Sequence, residues 1–150
     1  MTKIVVMTAA VAASVFAFAE TNAVARTETE ADLLVAGRLS TYNSAVTNVR
    51  AGAFMECRGL AACNLECAQT VGVGAFRGCV VLETVYAGAV SNLTGWTAMF
   101  AGCPRLKDVH LPLVGVDAAK AAGLPFGTTS RTVVFHLADG DCDRNGNRVD

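Results

Sequence analysis

Thiols, imidazoles and one carboxylate-rich loop are the groups in this sequence with chemistry to offer. The chain has six Cys and two His among 150 residues. A zinc centre takes four Cys or His ligands, commonly with a short Cys-x-x-Cys-like pair. Cys57, Cys63 and Cys67 stand close together but with five and three residues between them, which fits that pattern poorly. A nucleophilic thiol needs an accessible position and a base beside it. His110 and His136 are the two imidazoles, and the sequence pairs no carboxylate or nucleophile with them. G-x-S-x-G, H-E-x-x-H and P-loop patterns are all missing. The expectation is a protein that is not an enzyme.

The carboxylate-rich loop is Asp141-Cys142-Asp143-Arg144-Asn145-Gly146. It matches the first half of a calcium loop, D-x-D-x-N-G. Oxygens from Asp141, Asp143 and Asn145 at alternate positions would suit Ca²⁺, with Gly146 at the sharp turn. Arg148 stands where such loops usually place an apolar residue. The same stretch also reads as a hairpin, because Asn-Gly is the strongest two-residue turn signal. Both readings stay open at the level of sequence, and no other cofactor is expected.

A repeat is what must position these groups. Ala53-Phe54 returns as Ala75-Phe76, an offset of 22 that also joins Cys57 to Cys79 and Leu60 to Leu82. Val49, Val71 and Leu93 follow the same step. A third copy, Met99-Phe100, Cys103, Leu106, Val109 and Leu111, comes 24 residues after its counterparts. That unit therefore carries two extra residues, around Trp96. The shared pattern is V-x-x-V, then A/M-F-x-x-C-x-x-L-x-x-V-x-L. Its last alternating pair, as in Val85 and Ala87, points to one face of a short strand. The preceding Ala-Phe stretch suits a helical turn or short helix whose Phe reaches back onto that face. One unit cannot bury these side chains, whereas stacked neighbours can. Cys57, Cys79 and Cys103 then form a ladder inside the column. Gly72 and Gly74 read as tight-turn positions.

This unit resembles the BspA-type leucine-rich repeat of bacterial surface proteins, and Met99-Phe100-Ala101-Gly102-Cys103-Pro104-Arg105-Leu106 does so most closely. The resemblance spans residues 45–113, under half the chain. It implies an α/β repeat, a short leucine-rich-repeat solenoid of about three units with terminal caps. It also implies a secreted or surface-attached protein that binds other proteins. The chain departs from the family in its few units and in the Ala and Cys that dilute its Leu positions.

The flanks complete the organisation. Residues 1–19 carry Lys3, an apolar run and Ala17-Phe18-Ala19, the layout of a secretory signal peptide with an A-x-A cleavage site. Residues 20–44 read as a polar linker followed by an N-terminal cap begun by Leu33-Leu34-Val35. Residues 114–150 read as a C-terminal cap. In it, 117–122 is a short helix stopped by Gly123 and Pro125. Residues 132–137 are a strand whose Val133 and Phe135 lie 24 after Val109 and Leu111, so it extends the same sheet.

Composition limits the partners. Net charge is -1 and charged residues are 17%. That lacks the basic footprint of a nucleic-acid binder, and the 53% hydrophobic content excludes a disordered chain. After signal cleavage no membrane span is expected. If Val85 and Ala87 face inward, then Thr84 and Tyr86 face outward, as do Asp108 and His110 in the next unit and Asn64 in the one before. Solenoids commonly bind along such a strand face, and Tyr is a frequent interface anchor. The expected role is non-catalytic binding of an extracellular or envelope protein through these residues. A structural protein whose repeats self-associate and a calcium-dependent tail module are the alternatives.

Overall fold

In the computed structural model the described residues are 4–5, 16–17, 40–43 and 47–149. Most of the expected signal peptide, linker and N-terminal cap lies outside them. Described within these segments are an isolated antiparallel pair, β1 (Ile4–Val5) with β2 (Phe16–Ala17), and residues 40–43 at the end of the expected cap.

The repeats wind into a short β-solenoid of about four turns. β3 (Thr41–Asn43), β5 (Ala62–Asn64), β7 (Thr84–Tyr86), β8 (Asp108–Leu111) and β9 (Val134–Leu137) line up side by side, all parallel. β10 (Gly140–Cys142) returns antiparallel along β9 and completes a six-stranded sheet. On another side of the coil, the V-x-x-V segments form a smaller parallel pair, β4 (Asn48–Val49) with β6 (Thr70–Val71). Alternation along each three- or four-residue strand places the middle residue inward. Tyr42, Cys63, Val85, Val109 and Phe135 are therefore in register and buried.

The Phe of each unit stacks on the next, as their spacing predicts. Ring centroids of Phe54 and Phe76 are 5.2 Å apart with planes at 9°, and those of Phe76 and Phe100 are 5.8 Å apart at 24°. The Cys ladder is present beside them. The Cys79 thiol donates to the Phe54 carbonyl at 2.9 Å, and that of Cys103 to the Phe76 carbonyl at 3.0 Å. Burial pushes the Cys103 thiol up to about 11, so it keeps the proton it donates. Each thiol thus adds a hydrogen bond between coils to a carbonyl that already accepts from its own turn, Phe54 O from Cys57 N and Phe76 O from Cys79 N. None of the six cysteines forms a disulfide.

The repeats contain little helix, which corrects the expected α/β character. The Ala-Phe stretches are successions of turns. Left-handed residues interrupt them every few positions: Gly52 and Gly74 at φ 65° and 63°, then Glu56, Gly78 and Gly102 at φ 56°, 77° and 77°. Backbone N–H groups there bond across to the next coil rather than back along a helix. Phe54 N reaches Ala75 O at 2.8 Å and Glu56 N reaches Arg77 O at 2.7 Å. Gly72 answers a different need from the expected turn. A Cβ on it would lie 2.2 Å from the Ala51 nitrogen, so the neighbouring coil's backbone excludes any side chain. The two extra residues of the third unit form a 3-10 turn at Trp96–Ala98, with Trp96 buried edge-on against Phe100 and Phe126.

The cap follows the expected order. A short helix, α1 (Val116–Ala121), is followed by Gly123 at φ 100°. The final parallel strand joins the sheet two residues out of the expected step. Val109 pairs with Phe135, and Leu111 with Leu137, so the last coil spans 26 residues instead of 24. The two additional residues lie between Leu111 and Phe135, and a shift of two preserves which side chains face inward.

Two outcomes are expected. Phe76→Ala removes the central ring of the stack and should cost about 4 kcal/mol in denaturant unfolding. Glu56→Gly relieves a left-handed residue at a position where the next two units have Gly, and should raise stability by about 1 kcal/mol in the same measurement.

Candidate functional site

Outward residues of the parallel strands form two in-register rows. One contains Thr41, Ala62, Thr84, Asp108 and Val134. The other contains Asn43, Asn64, Tyr86, His110 and His136. The residues named from sequence, Asn64, Thr84, Tyr86, Asp108 and His110, all fall on this single face. They are half-buried apart from Tyr86, which is 37% exposed. Parallel pairing at equal register brings together side chains more than 20 residues apart in sequence.

The second row is an aromatic stack. Tyr86 lies 5.7 Å from His110, centroid to centroid, with planes tilted by 42°. His110 and His136 are 4.2 Å apart and nearly parallel, at 10°. His136 is held at both ring nitrogens. Nε2 is 3.0 Å from Asp108 Oδ1, and Nδ1 is 3.0 Å from Asp141 Oδ1. A ring that donates at both nitrogens is the imidazolium.

The two imidazoles titrate in opposite directions. Partial burial disfavours charge on His136, but the hydrogen bonds to Asp108 and Asp141 outweigh it and raise its pKa. For His110, burial and then the neighbouring His136 charge outweigh the more distant carboxylates and lower its pKa. At intermediate pH the face therefore holds one cationic and one neutral ring in contact.

Beside the stack runs an open groove of about 420 Å³, bordered by Thr41, Ala62, Asn64, Glu66, Thr84, Tyr86 and His110, with Cys63 in its floor. Burial, then the neighbouring Cys79 and Cys57, push the Cys63 thiol well up. A thiol so held is not a nucleophile. The Tyr86 ring has its place because residue 88 is glycine. A Cβ there would lie 2.8 Å from Tyr86 Cε1 and 2.9 Å from the Glu66 carbonyl oxygen.

The acidic C-terminal loop folds as a hairpin. Cys142 and Arg148 form an antiparallel bridge, and Val149 N donates to Asp141 O at 3.0 Å. Asp143 Oδ1 accepts from Asn145 N at 2.8 Å and from Asn147 N at 2.9 Å. Asp141 turns to His136. The oxygens read as candidate Ca²⁺ ligands thus point to separate tasks, and among the described residues no group of three or more His, Cys, Asp or Glu side chains converges as a metal site.

His136 was not singled out from sequence as part of the face, nor was Glu66. The His136 partners come from different strands, one of them antiparallel, so spacing carries no signal for that cluster. Glu66 follows the outward Asn64 by two residues, and this period was the available clue. No family model, curated protein or solved structure matches the chain. Among the described residues no helix is long and apolar enough to cross a membrane.

Histidine NMR titration should find His136 above and His110 below the ordinary value of about 6.5. Asp108→Asn should bring His136 down. The stability contributed by the His136 contacts is full below about pH 6.5 and fades as pH rises through the raised pKa. His110 acts in the opposite sense, with acidification below about pH 6.5 costing stability. Pairing each histidine variant with the wild type across pH should therefore show slopes of opposite sign.

Proposed function

We propose that this chain is an exported, surface or secreted BspA-type leucine-rich-repeat protein. Its role is non-catalytic binding of an extracellular or envelope protein partner. The strand face carrying Asn64, Thr84, Tyr86, Asp108 and His110 is the binding surface. The supporting observation is the in-register row of Asn64, Tyr86 and His110 along an open groove. An exposed aromatic flanked by polar side chains on a rigid sheet is the composition of an interface anchor. The rigidity follows from inter-coil packing, so little ordering cost is left for binding.

The test is a screen of residues 20–150 against extracellular-matrix and envelope proteins, with Tyr86→Ala/His110→Ala alongside. The expected result is a partner bound by the wild type and lost by the double variant, with an unchanged circular dichroism spectrum and unfolding midpoint. Equal binding by the two folded proteins would remove this face from the function. A monomeric wild type that captures nothing in the screen would overturn the reading.

A further inference from the structure

The groove beside Tyr86 has a definite chemical bias. Among its bordering residues and the outward strand positions there is no Lys or Arg, whereas Glu66, Asp108 and Asp141 bring carboxylates. Asp108 and Asp141 are already shared with His136. Glu66 is exposed and no ion pair to it is present among the described residues. Next to it the Tyr86 ring lies over Gly88, positioned by the space that glycine leaves. On the same groove wall the buried Asn64 Oδ1 has no hydrogen-bond partner. A carboxylate and an aromatic face thus border one opening, and the Asn64 oxygen is buried beneath its wall.

Resting on the binding role argued above, we propose that this groove receives an arginine side chain from an extended segment of the partner protein. Its guanidinium stacks on Tyr86 and donates to the Glu66 carboxylate. Arginine suits the two groups better than lysine. Its planar fork carries five donors and can stack on an aromatic face while it hydrogen-bonds at its edge. An ammonium is a compact, strongly hydrated charge without a plane to lay on the ring while it pairs the carboxylate. A carboxylate-bearing segment would meet the Glu66 charge directly. Protonation of His110 adds a positive charge on the groove wall, so acidification weakens the site.

The experiment uses labelled oligo-arginine, oligo-lysine and oligo-glutamate peptides of equal length, with the whole exported chain, followed by fluorescence anisotropy and by NMR of Tyr86 and His110. The arginine peptide should bind most tightly and move the Tyr86 and His110 resonances. Glu66→Gln and Tyr86→Leu should each weaken it about tenfold. Asp117→Asn, on the helical cap, should leave it unchanged. Lowering the pH through the His110 titration should weaken binding by the wild type more than by His110→Gln. Equal affinity for the lysine peptide, failure of the arginine peptide to bind, or insensitivity to Glu66→Gln and Tyr86→Leu would each overturn the proposal. The partner screen separates the two failures. If a protein partner is lost in Tyr86→Ala/His110→Ala while the arginine peptide does not bind, the face binds proteins but not through arginine.

Discussion

No coil of this protein is complete until the next one lies against it. Alone, a circuit of some two dozen residues exposes a phenylalanine, a leucine and a row of backbone donors and acceptors to water. The neighbour covers the ring, pairs the strand and takes up the carbonyl that the cysteine thiol reaches. Dispersion between stacked rings and hydrogen bonds between coils therefore act on the same contact surface. This dependence explains why Cys57, Cys79 and Cys103 recur at one inward position of successive units. A thiol fits between a ring and a carbonyl, and a larger apolar group there would push the coils apart. It also explains Gly72, where the backbone of one circuit runs directly against the next.

The outward face inherits its order from that stacking. Because every strand meets its neighbour at a fixed register, side chains two dozen residues apart become lateral neighbours without any local sequence cause. The Tyr86–His110–His136 row is the result. The reversal at β10 adds Asp141, which approaches His136 from the opposite strand direction. One imidazole is thus charged and fixed between two carboxylates, and the next is kept neutral by its burial and then by that charge. The polarity of the face changes along a row that is geometrically regular.

Much of the coil was legible in the spacing of Phe54, Phe76 and Phe100 and of Cys57, Cys79 and Cys103. Such positions repeat because identical neighbours must satisfy identical volumes. The same periodicity indicated which of Thr84, Val85 and Tyr86 face outward. It was silent on helix content. The apolar spacing around Phe54 and Phe76 suits a helical turn, and the left-handed residues that interrupt it include Glu56, a type that seldom marks such a position. The final coil was misjudged by two residues, since its loop lengthens outside the repeat pattern. At the site, the clamp on His136 could not be read at all. It joins Asp108 and His136 from two parallel strands with Asp141 from the antiparallel one, a meeting that no sequence spacing announces.

Successive circuits are not equal in length. From Tyr42 to Cys63, Val85, Val109 and Phe135 the steps are 21, 22, 24 and 26 residues. Arrays of identical repeats suffer from degeneracy, because a segment can pair one unit too early or too late with little loss. Here the unequal lengths make a slip by one unit mismatch its neighbours. Trp96 packs on Phe100 and Phe126, and the last circuit alone among the described ones includes an α-helix. Graded perimeter therefore acts as an address written into chain length, telling each segment its place in the stack while the core residues remain nearly interchangeable.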